Sequence, residues 1–305
     1  MAAINRAALS EHLWPGILEW FGTEYADYPT EYTDLFDTRS STKAYEEWVG
    51  QADFGLAPVK EEGKSIMFDE ASDTWKGTVS HQAYALGYII TREMVEDDQY
   101  FDLVPRYTKA LKRSMRITKE VRAAAYYDGL FDVERTGDGQ FVVSDAHPLK
   151  NGSTFSNKAA ANADLNETSL EAMVIQIADW TDDRGLRIAI KPESLVVPNG
   201  LQFTAERLFR TTSGRVGTAD HDTVAFQSLN SVPGGYRLNH YLSDPKAWYV
   251  KTNVTSGEGM VHFARTPLDI EEGDGSETQT MKVMAYERYS FTTIDPRGIW
   301  ASPGQ

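Results

Sequence analysis

The chain has 305 residues, 41% of them hydrophobic and 25% charged, with net charge -15 and no cysteine. That length and apolar content support one large or two ordinary domains with real cores, and the acidic balance argues against a general binder of nucleic acid or anionic membrane, because long-range repulsion opposes the encounter. Disulfide staples, thiolate metal sites and cysteine nucleophiles are excluded outright.

In chain order, residues 1–52 read as an arm. Leu9, Leu13, Trp14, Ile17, Leu18 and Phe21 recur at helical spacing but are interrupted by Pro15-Gly16, and Tyr25, Tyr28, Tyr32 and Phe36 follow with acids between them. Such rings could bury on a neighbouring subunit, as interface aromatics do, or on the chain's own body; Trp14, Phe21, Tyr25 and Tyr28 are the arm's contact candidates. Residues 55–90 read as a projecting hairpin, with strands 64–71 and 78–90 and a polar turn 73–77 that presents an exposed Trp75 beside Lys76. Tyr84, Leu86, Tyr88 and Ile90 alternate onto one face. Gly63-Lys64-Ser65 imitates the end of a phosphate loop, but Pro58 stands where its first glycine belongs and a strand follows instead of a helix.

Within 90–131 the pattern predicts one long helix over about 102–128, capped by Asp102, with Pro105 in the first turn and Asp128-Gly129 as the stop. Val104, Tyr107, Leu111, Met115, Val121 and Ala125, with Thr118 between, form its expected core stripe. Arg106, Lys109, Lys112, Arg113, Arg116, Lys119 and Arg122 form an expected basic face, opposed by Glu120 alone, so 106–122 carries net +6 in a chain of -15. Charge pairing with acidic neighbours is the plain reading of that face, and contact with nucleic acid the alternative.

After a short strand in 141–149 and a polar loop 150–166, a second helix is predicted from a Thr168/Glu171 capping box, with Leu170, Met173, Val174 and Ile177 as its stripe and Arg184-Gly185 as its close. Then come a buried-type strand 194–197, a helix 201–210, a Gly/Ser/Thr-rich loop region 211–240 around Pro233-Gly234-Gly235, and strands 247–251, 260–270 and 280–294 about a turn at 271–275. The mixed order indicates an α+β fold.

Chemistry is hard to find. Glu93, Glu96, Asp97 and Asp98 could pair as acid and base, yet acids near a helix start ordinarily complement its dipole. Asp220-His221-Asp222 and Asp145-Ala146-His147 offer metal-ligand types without the spaced helical pair of a zinc enzyme. No nucleophile elbow, dinucleotide fingerprint or calcium loop is present, so no catalytic residue, cofactor or metal is assigned, and a structural protein is expected.

Several stretches occur together in a telling order over 40–300: the 90–98 run ITREMVEDD before the long helix; Ser144-Asp145-Ala146-His147-Pro148-Leu149 and Asn151-Gly152; Leu165-Asn166; Lys191-Pro192-Glu193-Ser194; Glu287-Arg288-Tyr289; and Asp295-Pro296-Arg297-Gly298. With them the chain resembles the major capsid (head) proteins of tailed bacteriophages with the HK97-like fold, and most of all the Mu-like head-subunit branch. The resemblance implies an N-arm (1–52), an extended loop (53–90), a peripheral domain (91–184 and 262–305) built on a spine helix, and an axial domain (185–261) whose loop near Pro233 points to the capsomer axis. It implies self-assembly into pentamers and hexamers of an icosahedral virion shell in the host bacterial cytoplasm, enclosing double-stranded DNA without sequence-specific binding and without a membrane. A portal and decoration protein are implied partners, and a scaffolding protein would be separate, since no acidic coiled segment precedes the arm. Relatives that cross-link a loop lysine offer a comparison with Lys60, Lys64 and Lys76, but no partner asparagine matches by motif. The alternatives are a nanocompartment shell of the same fold and a metal- or carboxylate-dependent hydrolase.

Overall fold

The computed structural model describes residues 29–91, 93, 100–210, 230–254, 258–275 and 280–305. Its helices are α1 (Tyr32–Leu35), α2 (Tyr100–Asp128), α3 (Glu167–Ala178) and α4 (Gln202–Arg210). One sheet is ordered β1 (Asp37–Ser40), β10 (Met260–Gly275), β11 (Thr280–Thr293), β4 (Gln82–Ile90), with β1 parallel to β10 and the other pairs antiparallel. A second is ordered β12 (Ile299–Ser302), β9 (Trp248–Thr252), β7 (Pro192–Pro198), β8 (Tyr236–Asn239). β2 (Tyr45–Ala52) and β3 (Ser72–Ser80) form a separate antiparallel ribbon, and β5 (His147–Pro148) pairs with β6 (Thr154–Phe155). The architecture is the expected mixture of helix and sheet.

Helix α2 runs 29 residues, or about 43 Å at 1.5 Å each, and both sheets contribute to its seat. Val104, Leu111 and Met115 pack with Ile90, Ile270, Val283 and Ala285 of the first sheet. Its C-terminal half sends Ala123, Tyr126 and Tyr127 into a core shared with Phe36, Tyr249, Met260 and Ile299. A third core joins α3 to the second sheet through Leu170, Met173, Ile177, Leu195, Val250 and Trp300. The C-terminal segment, expected with 91–184, thus delivers β12 to the sheet formed by 185–261.

The predicted stripe of α2 is corrected in part. Tyr107 and Val121 are 41% and 45% exposed and Ala125 is exposed, whereas Thr108, Lys112, Lys119, Glu120, Ala123 and Ala124 are buried. The seven basic residues therefore do not share one face. Lys112 and Lys119, seven positions apart, point inward with the core stripe. Apolarity alone misreads the periodicity because the polar core positions are satisfied: Thr108 donates to Val104 O and meets the Tyr88 hydroxyl, and Lys119 Nζ donates to Glu287 on β11.

Other boundaries move for identifiable reasons. The 64–71 stretch is not a strand, and β3 and β4 meet at His81 instead of forming a hairpin with each other; β3 pairs with β2, and β4 with β11. The cap of α3 is Asn166, whose Oδ1 accepts from Ser169 N while Ser169 Oγ accepts from Asn166 N, so the capping box lies two residues before the Thr168/Glu171 pair. α3 ends at Ala178, and Gly185, at φ 87°, closes a later turn. β10 runs through Gly275, so residues 271–275, predicted as a turn, are strand paired with β11. β8 lies inside the expected loop region, and β12 was not anticipated.

Two polar sites join distant segments. Buried Asn157 donates to Val142 O at 2.7 Å and Pro296 O at 2.9 Å and accepts from Ser144 N at 2.8 Å. Buried His262 lies against the Tyr32, Tyr289 and Phe291 rings, with Thr38 Oγ1 at 3.4 Å; burial, reinforced by the Lys119 charge, pushes its pKa down to about 3.

Asn157→Ala should lower stability by about 2–4 kcal/mol, read from the urea midpoint, because three backbone groups lose their buried partner. Because His262 stays neutral when folded but binds a proton when unfolded below about pH 6.5, its contribution is complete above that pH. It is lost as pH falls from 6.5 toward 3, by up to about 1.4 kcal/mol per unit. His262→Gln should flatten the acid limb of a Tm-against-pH curve across that window.

Candidate functional site

The ribbon β2–β3 leads through His81 into β4 and carries a long connection, 53–71, with no regular structure. Within the ribbon Trp48 lies opposite Gly77 and Trp75 lies over Gly50. A Cβ at Gly77 would come within 2.4 Å of the Trp48 ring and one at Gly50 within 2.6 Å of Trp75, so both indoles need glycine beneath them. Trp75 is therefore half-buried on a strand, with its ring also reaching Gly137, and is not the exposed tip of a turn. Lys76 is exposed and pairs with Glu47. Tyr84 is half-buried, stacked on Tyr289 at 4.5 Å with the Arg122 guanidinium over its ring.

The exposed apolar surface is instead in the connection. Leu56 is 81% exposed, Val59 94%, Met67 76% and Phe68 90%, and Phe54 and Ile66 are also open to solvent. The loop's base is closed by Asp69, whose Oδ2 accepts from Gly55 N and Arg184 Nη1, each at 2.8 Å. The Gly55 and Glu70 amides and the Arg184 charge hold that carboxyl below its ordinary range. Lys150 adds a bond to Asp73 O at 3.3 Å. An apolar loop pinned only at its base is built to be covered by something else. Its sequence signal was Phe54, Leu56, Val59 and Ile66-Met67-Phe68 themselves, which an expected strand absorbed.

The arm's root is fixed beside α2. Glu120, buried on the helix, accepts from Glu31 N at 3.1 Å and Tyr32 N at 2.8 Å and so caps α1 from outside; burial raises its pKa against those bonds. Glu31 in turn meets His240 Nδ1 at 2.6 Å. Tyr32 and Phe36 pack on the chain's own body, Phe36 against Tyr126, Tyr127 and Phe291. Trp14, Phe21, Tyr25 and Tyr28 lie outside the described residues. Of the basic residues, Arg106, Lys109, Arg113 and Arg122 are exposed and Arg116 is half-buried. Pro233 is exposed at the turn before β8.

Among the described residues the candidate chemical groups do not converge. His147 is fully buried between Asp138 Oδ2, 2.7 Å from Nδ1, and Asn157 Oδ1, 3.2 Å from Nε2, and stacks on Phe155. This bonding holds the 138–157 segment in place. Glu93 is exposed, and Glu96, Asp97, Asp98 and Asp220 to Asp222 lie outside the described residues. Among the described residues no three His, Asp or Glu side chains are grouped to hold a metal ion.

A phage capsid protein family model matches residues 76–302. No curated protein matches in sequence. Three solved structures share the fold at low identity. A phage-related protein from Bordetella bronchiseptica RB50 has TM-score 0.53 and 13% identity, covering 94% of this chain and 96% of that one. The virus-like particle of Pyrococcus furiosus has TM-score 0.51 and 7% identity, covering 96% and 98%. The procapsid of bacteriophage JBD30 has TM-score 0.51 and 12% identity, covering 98% and 76%. The ribbon with its long connection, the long helix and the two sheets together form the HK97-like fold, and the chain belongs to the phage capsid protein family.

Proposed function

We propose that this chain, as the major capsid protein of a phage head, joins with its copies into pentamers and hexamers that close into an icosahedral shell around double-stranded DNA. The observation that carries the reading is the 53–71 connection, with six large apolar side chains left in solvent by their own subunit. Burying a Phe or Leu contributes about 1.5–3 kcal/mol, and closed symmetry repeats each modest contact around every capsomer. The loop and ribbon are thus the extended loop that overlaps a neighbour. Residues 91–184 and 262–305 form the peripheral part on its spine, and 185–261 the axial part, with Pro233 on the side of the capsomer axis.

The basic residues of α2 pair with acidic groups within the chain and in neighbouring copies, and the packaged DNA is their secondary partner. Scaffold, portal and decoration proteins belong to the same reading, as does membership of the Mu-like branch and assembly in the host cytoplasm. A second reading, a shell without a phage genome, is favoured by the fold shared with an archaeal virus-like particle. Nuclease-resistant DNA recovered from native particles decides for the phage head, and a protein cargo for the second reading.

Full-length protein should give capsomers or closed particles by light scattering and electron microscopy. A monomer at every concentration and salt tested would overturn the proposal. Leu56→Glu and Phe68→Glu should each raise the protein concentration needed for particles at least tenfold, equivalent to about 1.4 kcal/mol, while far-ultraviolet circular dichroism stays unchanged. Normal particles from both variants would remove the loop from the interface.

A further inference from the structure

The chain crosses between the first sheet and the β2–β3 ribbon twice, at Ser41 after β1 and at His81 before β4. β1 and β4 lie at opposite edges of that sheet, yet the two crossings are bonded to each other. Ser41 Oγ lies 3.1 Å from His81 Nε2, and His81 Nδ1 lies 3.0 Å from Ser290 Oγ of β11. All three residues are buried. The Ser41 amide donates to Ala264 O of β10 at 2.9 Å, and Arg288 Nε donates to the carbonyl of His81 at 3.3 Å. The Phe263 ring stands edge-on to the imidazole at 6.2 Å. One imidazole thus joins the ribbon's entry, its exit and the sheet.

The hydrogen positions follow from the acceptors. Glu46 of β2, an ionised carboxylate, can only accept, and it takes the Ser41 hydroxyl hydrogen at 2.6 Å; that bond in turn keeps Glu46 ionised further into acid. Ser41 Oγ also accepts from Lys43 N at 3.2 Å, so its remaining lone pair faces His81, and Nε2 must carry the hydrogen between them. Nδ1 is then bare and accepts from the Ser290 hydroxyl. A second proton would have to enter at Nδ1, turning the Ser290 hydrogen away and charging a buried ring that feels Arg288 of β11 and Arg265 of β10. Burial and those two arginines hold the His81 pKa below its ordinary value, while Glu46, itself paired with Lys43 at 3.4 Å, opposes them.

We propose that Ser41, His81 and Ser290 are a proton-operated latch between ribbon and sheet, closed while the imidazole is neutral and released when Nδ1 takes up a proton. Because the folded chain binds this proton less readily than the unfolded chain, the latch contributes fully above about pH 6.5 and is lost as pH falls below it. Every group it needs lies in one chain, so it does not rest on shell formation. Mild acid frees the ribbon, with the apolar connection it carries, from its fixed direction on the sheet.

Hydrogen-deuterium exchange of the full-length protein, corrected for intrinsic rates, reads the latch from about pH 7.5 to about pH 5. Peptides covering 41–52 and 72–82 should lose protection several-fold more than the α3 helix over that range, with light scattering confirming one assembly state throughout. His81→Gln keeps a donor toward Ser41 and an acceptor toward Ser290 but cannot take a charge, so its ribbon protection should stay at the neutral-pH level. His262 titrates in parent and variant alike and cancels in the comparison. Ser290→Ala removes the donor to Nδ1, so the midpoint of ribbon release should move to higher pH. In the unsubstituted protein, exchange of the His81 C2 hydrogen, read by mass spectrometry, should titrate below the ordinary histidine range. A His81 midpoint at or above about 6.5 would overturn the proposal. So would an equal acid loss of ribbon protection in His81→Gln and parent, an unmoved midpoint in Ser290→Ala, or ribbon peptides that lose no more protection than α3.

Discussion

The buried ion pair between Lys119 of α2 and Glu287 of β11 is the constraint around which the molecule is arranged. Both side chains are almost wholly removed from solvent, and the ammonium also lies over the Tyr32 and Tyr289 rings at 5.4 and 5.2 Å. Burial raises the Glu287 carboxyl and Lys119 opposes that shift, so neither charge is tolerable without the other. Removing one partner of such a pair leaves an uncompensated charge, at about 3–5 kcal/mol. The pair therefore fixes how the long helix lies along the first sheet.

Around it the arm's root, the helix and the sheet interlock. Tyr32 follows the Glu120 cap and covers Lys119; His262 of β10 is held neutral in the same aromatic enclosure; and Phe36 closes the next layer against Tyr126 and Tyr127. Residues 31–36 are consequently part of the body. Glu120, the lone acid amid seven bases, does not merely offset their charge, because its carboxylate terminates α1.

Beside this centre the β2–β3 ribbon is a separate two-stranded unit. It meets the body through Asp69 with Arg184, Lys150 with Ser72 and Asp73, Ser41 with Glu46, and the Trp75 ring at Gly137. Surface ion pairs of this kind contribute little to stability, so they aim the loop without welding it. A firmly seated spine and a lightly pinned apolar loop suit a subunit that must keep its shape while its contacts with neighbours form.

The long helix and its stop, the α+β class and the buried character of 194–197 could be read from local pattern, because capping, periodicity and chain reversal act over a few residues. The resemblance carried by ordered short motifs reached the family, and one of them, Asp295-Pro296-Arg297-Gly298, sits at a turn where backbone geometry restricts the residue. Tertiary structure alone decided which polar residues are core. Lys112 and Lys119 read as surface, and Tyr107 and Val121 as core, because periodicity counts apolarity and cannot see a carboxylate 168 positions away. It also decided strand partners: β3 turns from β4 to β2, and β12 joins β9, since pairing depends on edges supplied by distant segments. The exposure of Leu56 and Phe68 was likewise invisible in the residues themselves, because an apolar side chain announces that it will be buried but not by which chain.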